Sequence, residues 1–506
     1  MKVHTVHDIL EAGALDDVAF AAPDRPSLSH GELRMLAGGV QLRLRDAGIG
    51  RNGRVAIVLP NGPEMATAFL AIAASATTAP LNPNYRAQEF EFYLEDLNAD
   101  ALVVEAESDS PAIAVAEGLG VPVHRLHVDP GAPAGAFRLE LGKTGKRAGD
   151  GWAEPGDTAL VLHTSGTTSR PKIVPLSQTN ICASAQNIAT TLALTPADRC
   201  LNIMPLFHIH GLMAAVLSSM AAGASVFATP GFNALKFSSW LTDARPTWYT
   251  AVPTMHQAIL ARLGRDPEAA RAAGLRFIRS SSASLPPQVL GSLEDLFGCP
   301  VIESYGMTEA SHQMASNPLP PKERKPGSVG PAAGPEVAIM DEAGDRLGAN
   351  ETGEIVIKGP NVMAAYENNP EANAKAFTSG WFRTGDQGVM DEDGYVRITG
   401  RLKEIINRGG EKISPREVDE VLLDHPSVAQ AVTFAIPHEK LGEDVGAAVV
   451  LAGGAEPDER GIRDFVAARL ADFKVPRKIV FLDEIPKGAT GKLTRIGLAE
   501  KLGITS

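Results

Sequence analysis

Apolar and polar positions follow two alternating periods along the first half of the chain. Residues 29–48 and 63–76 have helical spacing, whereas residues 53–61 and 100–105 form short apolar runs. Short apolar runs are typical of buried strands, and their regular exchange with helices predicts βαβ units in a mainly parallel sheet covered on both faces. A second series of the same kind is predicted over residues 159–297. Between the two, Gly, Pro and Ala accumulate, and irregular excursions are predicted over residues 107–157.

The pattern changes twice more towards the C-terminus. After Glu336 the runs VAIMD, GEIVIKG and YVRIT, separated by turn sequences, predict a β-rich subdomain. The composition shifts again near Arg401, so the main domain boundary is placed there. Residues 402–506 hold two strand-like runs and the helical run GIRDFVAARLADF, which is enough for a small α+β domain. The uncharged stretch from Gly211 to Ala228 predicts a buried helix stopped near Gly223 and then a buried strand, rather than a membrane span.

Composition narrows the function classes. The 506 residues carry a net charge of −13 without a basic block, which argues against sequence-independent nucleic-acid binding. Cys182, Cys200 and Cys299 are too few and too scattered for a disulfide framework or a zinc site. The N-terminal segment is charged and lacks an apolar core, so its sequence is not typical of a signal peptide. We therefore expect a cytoplasmic protein, without nucleic-acid or membrane partners, that is a monomer or a homodimer.

One polar string has the composition of a phosphate-binding loop. The string Thr164, Ser165, Gly166, Thr167, Thr168, Ser169, Arg170, Pro171, Lys172 follows a strand-like run, and a helix is predicted after Thr179. Small hydroxylated residues and glycine allow the backbone to approach a polyphosphate closely, and Arg170 and Lys172 add cationic charge. A solvated Ser/Thr turn is the alternative explanation, because such turns are commoner than nucleotide loops.

Three further strings carry side chains that suit nucleotide chemistry. Tyr305, beside a Gly turn, can stack on a base, and Glu309 can hold Mg²⁺ next to phosphates. Asp386 and Arg401, at the two ends of one hairpin, suit ribose hydroxyls, and Lys492 stands in a flexible Gly-containing loop. Taken singly, each string also fits an ordinary core aromatic, a surface ion pair or an exposed turn.

Together the strings resemble one family. TSGTTSRPK, YGMTE, WFRTGD, GRLKEIINRGGEKISP and PKGATGKLTR occur in the order and spacing of the acyl-adenylate-forming superfamily of AMP-dependent acyl-CoA synthetases, over roughly residues 16–497. The resemblance implies an α/β fold: a large adenylation domain of several subdomains, residues 1–401, and a small mobile C-terminal domain, residues 402–506, with the hinge at Lys403. It also implies ATP, Mg²⁺ and coenzyme A, and a two-step reaction through an acyl-AMP intermediate that releases pyrophosphate and AMP.

The resemblance assigns roles position by position. Residues Thr164 to Arg170 and Lys172 are expected to bind pyrophosphate, and Tyr305 to pack on adenine. Thr308 is expected to contact phosphate, Glu309 to bind Mg²⁺, and Lys492 to bridge the carboxylate and the α-phosphate. Further nucleotide contacts are expected at Ser282, Ala283, Ser304, Gly306, Met307, Asp386 and Arg401. After rotation about Lys403, the loop of Arg408, Gly409 and Gly410 is expected to face the site and help admit CoA.

The acyl pocket is expected to be polar. In this family it is lined by residues after the PLFH string and around YGMTE. In this chain the residues expected there are His208, His210, Ser281, Ser282 and His312. A second carboxylate on the substrate is costly to bury without a partner, and an anion favours the imidazolium form of a nearby histidine. The strings HTSGTTSRPK, PLFHIHGL and MTEASHQMASNPLP are most similar to the oxalate-activating branch, so oxalate is the expected substrate. Malonate, kept open by Arg279, or an aromatic acid such as a hydroxycinnamate is the alternative.

Overall fold

The fold is taken from a computed structural model that describes residues 3–142, 146–149, 151–164, 171–264, 267–486 and 495–504. The chain divides into two compact units. The first comprises residues 1–326, 330–336 and 358–375, and the second comprises residues 327–329, 337–357 and 376–506. This division attaches the β-rich segment to the C-terminal part, so the boundary predicted at 401/402 falls inside the second unit. A hinge at Lys403 stays a prediction.

The strands of the first unit fall into two series. They are β1 Val18–Ala21, β2 Leu28–Ser29, β3 Arg54–Val58, β4 Thr77–Pro80, β5 Ala101–Glu105, β6 Val123–His127, β7 Arg138–Glu140, β8 Thr158–Thr164, β9 Lys172–Ser177, β10 Arg199–Asn202, β11 Ser225–Ala228, β12 Trp248–Ala251, β13 Phe277–Ser280, β14 Val301–Met307 and β15 His312–Ser316.

Helices cover the faces of these strands. They are α1 Val6–Leu10, α2 His30–Asp46, α3 Pro63–Ala73, α4 Ala87–Leu97, α5 Pro111–Gly118, α6 Gln178–Thr191, α7 Ser218–Ala221, α8 Phe237–Ala244, α9 Pro253–Leu263, α10 Pro267–Ala272 and α11 Pro287–Phe297, with a π-helix at His210–Leu217 and a 3₁₀ turn at Thr308–Ala310. Helix α6 begins close to the predicted position because the Ser177 side chain caps it by accepting from the Asn180 amide.

Two sheets organise the first unit. Within the described residues, one has the order β7-β6-β5-β3-β4-β8-β9 and the other β15-β14-β13-β12-β10-β11-β1-β2. Both are parallel in their interior and carry antiparallel strands at the edges. The interior strands are buried along their length, as the apolar runs predict. The α/β class is confirmed.

Residues 107–157 are more regular than predicted. The Ala-rich segment Pro111–Gly118 is helical, with Ser110 as its cap, and Val123–His127 adds a parallel strand beside β5. The prediction of irregular excursions is therefore wrong for these segments. A short helix of eight residues gives little periodic signal, and its apolar face is recognisable only once it packs against α4 and β5.

From residue 336 onward the strands pair mostly antiparallel. The strands are β16 Glu336–Met340, β17 Gly353–Lys358, β18 Phe377–Thr378, β19 Trp381–Met390, β20 Val396–Arg401, β21 Ile406–Arg408, β22 Glu411–Ile413, β23 Val428–His438, β24 Gly442–Leu451 and β25 Lys478–Phe481. The helices are α12 Pro370–Ala376, α13 Pro415–Leu423, α14 Glu459–Ala467 and α15 Leu498–Lys501, with a 3₁₀ turn at Asp472–Lys474.

These strands build two more sheets in the described part of the chain. One has the order β16-β17-β19-β18 with β20 beside β19, and the other has the order β22-β21-β24-β23 with β25 beside β24. They match the predicted β-rich segment and the predicted α+β segment. Among the described residues, no helix combines the length and apolar character that crossing a bilayer requires.

Candidate functional site

The candidate site of the first unit lies where four neighbouring strands end. Strands β10, β12, β13 and β14 are consecutive and parallel in the eight-stranded sheet. The carboxyl ends of parallel strands meet at one edge, which is where ligands bind in open α/β sheets. The predicted acyl-pocket residues lie in segments that follow β10, β13 and β14. The topology therefore explains why residues far apart in the sequence, such as His210 and His312, are brought together.

A π-helix presents His210. The sequence predicts an ordinary helix here, but residues His210–Leu217 form the wider π turn, a form often found at functional sites. His210 is fully buried. Its Nδ1 lies 2.9 Å from Ser282 Oγ, and its Nε2 lies 2.6 Å from Thr250 Oγ1. The next residue must be glycine, since a Cβ on Gly211 would overlap the carbonyl oxygen of Pro205.

His312 reaches the same place through an unusual backbone. Ser311 and His312 have φ values of +50° and +97°, which L-residues other than Asn and Asp adopt rarely. The imidazole rings of His312 and His210 stack with centroids 4.9 Å apart and planes 25° apart. Gly306 on the neighbouring strand allows this, because a Cβ there would overlap the carbonyl oxygen of His312. The structure thus brings His210, His312 and Ser282 together.

The two predicted pocket serines differ in their surroundings. Ser281 is fully buried, and its hydroxyl donates to the carbonyl oxygen of Ser304 at 3.1 Å. Ser304 in turn donates to the carbonyl oxygen of Ser280 at 3.3 Å, so these hydroxyls tie β13 to β14. Ser282 is half-buried, has φ +71° and faces His210. Of the two serines, Ser282 is therefore the one placed to meet a ligand.

The structure describes several other predicted residues of this unit. His208 is half-buried, and its Nδ1 accepts from the amide of His210 at 3.4 Å. Tyr305 lies within β14 and is largely buried, whereas Met307 at the end of that strand is half-buried. Ala283 is exposed and Thr308 half-buried. Their expected nucleotide contacts stay predictions.

Glu309 has the surroundings of a magnesium ligand. It is buried in the 3₁₀ turn, and its Oε1 accepts from the hydroxyl of Tyr366 at 2.8 Å. The Tyr366 ring lies beneath Lys172, whose Nζ is 4.3 Å from the ring centroid. No ion pair neutralises Glu309 within the described part of the chain, so this buried carboxylate keeps oxygen lone pairs for a cation. Mg²⁺ is commonly held by one or two carboxylates together with substrate phosphates, and these residues fit such an ion.

The described residues do not form an all-protein metal cage. No group of three His, Cys, Asp or Glu side chains stands close enough there to hold a metal ion. The three cysteines are buried free thiols. Tyr366 is a site residue that the sequence analysis missed, and no motif marks it. Arg279, which in the sequence speaks only for malonate, lies fully buried beside His210.

In the second unit, Asp386 and Arg401 are directly opposite each other on β19 and β20. Arg401 Nε lies 2.8 Å from Asp386 Oδ1, and the aspartate side chain is 5% exposed whereas the arginine side chain is 52% exposed. The two residues thus meet at one end of the hairpin and form the ion pair that was the alternative explanation, while the expected contact with ribose stays a prediction. A half-exposed guanidinium remains able to meet a ligand, while the aspartate is fixed by the pair.

The predicted CoA-facing loop is the β21–β22 turn. Gly409 and Gly410 have φ values of +60° and +103°, so both take the left-handed conformation that the turn requires. Arg408 Nε donates to Asp444 Oδ1 at 2.7 Å. Although burial acts in the opposite direction, the bond from Arg408 helps hold the pKa of Asp444 below its ordinary value.

Arg495 links two predicted features of the second unit. Lys403 is exposed in the turn after β20, and its neighbour Glu404 lies 3.3 Å from Arg495 Nε. The same guanidinium donates to Asp419 at 2.6 Å and to the carbonyl oxygen of Thr433 at 3.0 Å. Burial raises the pKa of Asp419 despite this partner. Arg495 therefore joins the chain just after the Lys492 loop to the segment that holds the predicted hinge.

Two predicted strings lie outside the described residues. They are residues 165–170, with Ser165, Gly166, Thr167, Thr168, Ser169 and Arg170, and residues 487–494, with Lys492. Their flanks are described: Thr164 and Lys172 are partly buried and oppose each other at the ends of β8 and β9. The expected phosphate and catalytic roles of these strings stay predictions.

Comparison with known proteins identifies the family. The family model of the AMP-binding enzymes matches residues 11–367, and that of the AMP-binding enzyme C-terminal domain matches residues 417–492. An oxalate–CoA ligase of Arabidopsis thaliana is 47% identical over 96% of this chain and 97% of its own. An oxalate–CoA ligase of Saccharomyces cerevisiae is 40% identical over 90% of this chain and 88% of its own.

A solved structure extends the agreement to the fold. ATP-bound MatB from Rhodopseudomonas palustris superimposes with a TM-score of 0.88 at 29% identity, covering 99% of both chains. The resemblance drawn from the five strings is confirmed. By its two family matches, its sequence relatives and its fold, this chain belongs to the family of AMP-binding enzymes.

Proposed function

We propose that this protein is an AMP-forming acyl-CoA synthetase that ligates oxalate to coenzyme A. The observation that carries the substrate assignment is the buried, stacked pair of His210 and His312 beside Ser282, at the carboxyl ends of the central strands. The names of the relatives at 47% and 40% identity support the same substrate.

The chemistry of the pair suits a small dicarboxylate. Burying a carboxylate costs free energy unless hydrogen-bond donors or positive charge meet it, and ring nitrogens and a hydroxyl are such donors. A long acyl chain needs apolar walls instead, and the residues expected to line the acyl pocket here are imidazoles and hydroxyls. Malonate and aromatic acids such as a hydroxycinnamate are the competing substrates, and they differ from oxalate in length and in the second charge.

The reaction proceeds in two halves. One carboxylate of oxalate attacks the α-phosphate of ATP, forming the acyl–phosphate bond of oxalyl-AMP and expelling pyrophosphate. The thiolate of CoA then attacks the activated carbonyl carbon and expels AMP. Lys492 is assigned to the first half, where its ammonium bridges the carboxylate and the α-phosphate. Glu309 would hold Mg²⁺, and the ion would supply positive charge to the phosphates.

The remaining assignments concern the setting of the enzyme. The acidic composition and the three buried thiols support a cytoplasmic protein whose partners are ATP, CoA and a small carboxylate. It acts without nucleic acid or membrane, as a monomer or a homodimer.

A carboxylate panel tests the proposal. ATP–pyrophosphate exchange is measured with oxalate, malonate, succinate, acetate and a hydroxycinnamate, and CoA thioester formation is then measured with the best acid. Oxalate is expected to give the highest kcat/KM. Saturation by malonate or by the aromatic acid alone contradicts the oxalate assignment but leaves the ligase assignment intact, whereas no exchange with any acid contradicts both.

A further inference from the structure

Arg279 is a buried cation without an anionic partner. Its side chain is fully buried in β13. Nη1 lies 3.5 Å from His210 Nε2 and 3.4 Å from Thr250 Oγ1, and Nη2 lies 3.4 Å from Gln313 Oε1. No carboxylate pairs with it in the described ranges, and its Nε has no hydrogen-bond partner there. Buried arginines are ordinarily paired with a carboxylate, so a buried guanidinium without one is unusual.

A second buried arginine of the same unit shows what a structural role looks like. Arg45 is also fully buried. It donates to the carbonyl oxygens of Ile49, Ser75 and Gly151 at 2.6, 2.7 and 2.8 Å. These short bonds tie three backbone segments together. The contacts of Arg279 are longer, and none of them goes to a backbone carbonyl, so it is not built as a cross-link of the core.

The neighbours of Arg279 leave its charge uncompensated. Burial raises the pKa of the Cys200 thiol well above its ordinary value, so this nearby group is neutral. Burial lowers the pKa of Arg279 to about 9, which still leaves the guanidinium protonated at neutral pH. Thr250 and Gln313 are neutral. The positive charge therefore stands immediately behind His210, on the side of the ring away from Ser282.

Arg279 also constrains the hydrogen of His210. A guanidinium only donates, so the ring nitrogen that faces it, Nε2, is best assigned as an acceptor. The ring hydrogen then lies on Nδ1 and donates to Ser282 Oγ, which frees the hydroxyl hydrogen of Ser282 to donate onward. In this arrangement the positive charge is on Arg279. The neutral ring of His210 lies between Arg279 and Ser282, and the arginine fixes which ring nitrogen donates.

We propose that Arg279 is a specificity-determining residue that selects a dicarboxylate over a monocarboxylate. This inference rests on the proposed function. Arg279 is a positioning residue, because it acts through His210 and does not touch the substrate. A bound dianion supplies the negative charge that Arg279 lacks in the free protein. A monoanion of the same size, held only by its reacting carboxylate, gains less from it.

The test compares Arg279→Met with Arg279→Lys and with the control Arg45→Met. Steady-state pyrophosphate exchange gives KM for oxalate, glyoxylate and ATP, and thermal unfolding gives Tm. In R279M we expect KM for oxalate to rise about tenfold to a hundredfold, with KM for ATP changed less than twofold and glyoxylate affected much less than oxalate. R279K, which retains a charge, should recover part of the oxalate affinity.

Stability separates this role from a structural one. Replacing an uncompensated buried cation by an apolar side chain of similar volume leaves Tm unchanged or raises it, so R279M should be at least as stable as the wild type. R45M should lower Tm without changing the ratio of the two acid KM values.

Three results overturn the inference while the proposed function stands: an unchanged KM for oxalate in R279M, equal rises for oxalate and glyoxylate, or a joint rise for oxalate and ATP with a lowered Tm. Should R279M fail to fold, R279K decides, because equal losses for the two acids there also contradict the inference. A wild-type enzyme that does not activate oxalate contradicts the proposed function itself.

Discussion

Removing the hydroxyl of Tyr366 tests whether this hydroxyl orients the Glu309 carboxylate for Mg²⁺ binding. The hydroxyl donates to Glu309 Oε1 at 2.8 Å, and both side chains are buried. Tyr366→Phe leaves the rest of the residue in place, because its backbone is fixed by two hydrogen bonds of 2.8 Å to the Asn373 side chain. The ring also stays beneath Lys172. The substitution therefore removes the donor of this bond to the Glu309 carboxylate.

The size of the effect follows from the charge on the acceptor. A hydrogen bond to an ionised group contributes about 1.5–3 kcal/mol, and about 1.4 kcal/mol corresponds to a factor of ten. Without the hydroxyl, the carboxylate of Glu309 loses the donor that orients it, so we expect the half-saturating Mg²⁺ concentration to rise about tenfold to a hundredfold. The assay is pyrophosphate exchange at saturating ATP and acid, with Mg²⁺ varied.

Two controls make this result specific. Tyr85→Phe removes a phenol hydroxyl that hydrogen-bonds to the stacked Tyr93 rather than to Glu309, and it should leave the Mg²⁺ dependence unchanged. In the Glu309→Gln background, Tyr366→Phe should have no further effect on kcat/KM for ATP, because the acceptor charge is already gone. An additive loss in the double variant, or a lower Mg²⁺ requirement in Tyr366→Phe, refutes the reasoning.

The remaining predictions concern three other residues. Lys492→Ala should abolish oxalyl-AMP formation yet spare thioester formation from supplied oxalyl-AMP, and equal loss of both half-reactions argues against the assigned role. His312→Ala should raise KM for oxalate far more than KM for ATP, whereas a parallel rise identifies a structural histidine. Burial lowers the pKa of His256 to about 3, so below its ordinary value of 6.5 the unfolded chain binds a proton that the folded chain does not. The free energy of unfolding should therefore decrease as the pH is lowered from 6.5 to 3, by up to about 1.4 kcal/mol per pH unit. Tm measured against pH should fall less steeply in His256→Phe, and an unchanged slope excludes His256 as the cause.

Local pattern was sufficient for most of the elements and for the family. Buried parallel strands appear as short apolar runs, because both of their faces are covered, and glycine and hydroxylated residues mark the loops that follow them. That is why the family, the α/β class and the β-rich segment could be predicted. The short elements within residues 107–157 could not, because they depend on packing partners more than on their own periodicity.

The sequence alone determined that this chain has the α/β architecture of the AMP-binding enzymes, with imidazoles and serines among the residues proposed for its acyl site. Only the tertiary structure decided how those groups are used. The π turn at His210 and the left-handed backbone of Ser311 and His312 are local forms that packing imposes against propensity. Arg279 looks like any strand residue until β12, β13 and the π-helix meet around it and exclude water. Its lack of an anionic partner, which is the basis of the specificity we propose, is a property of that assembled environment, because a charge becomes costly only where solvent and counter-charge are both removed.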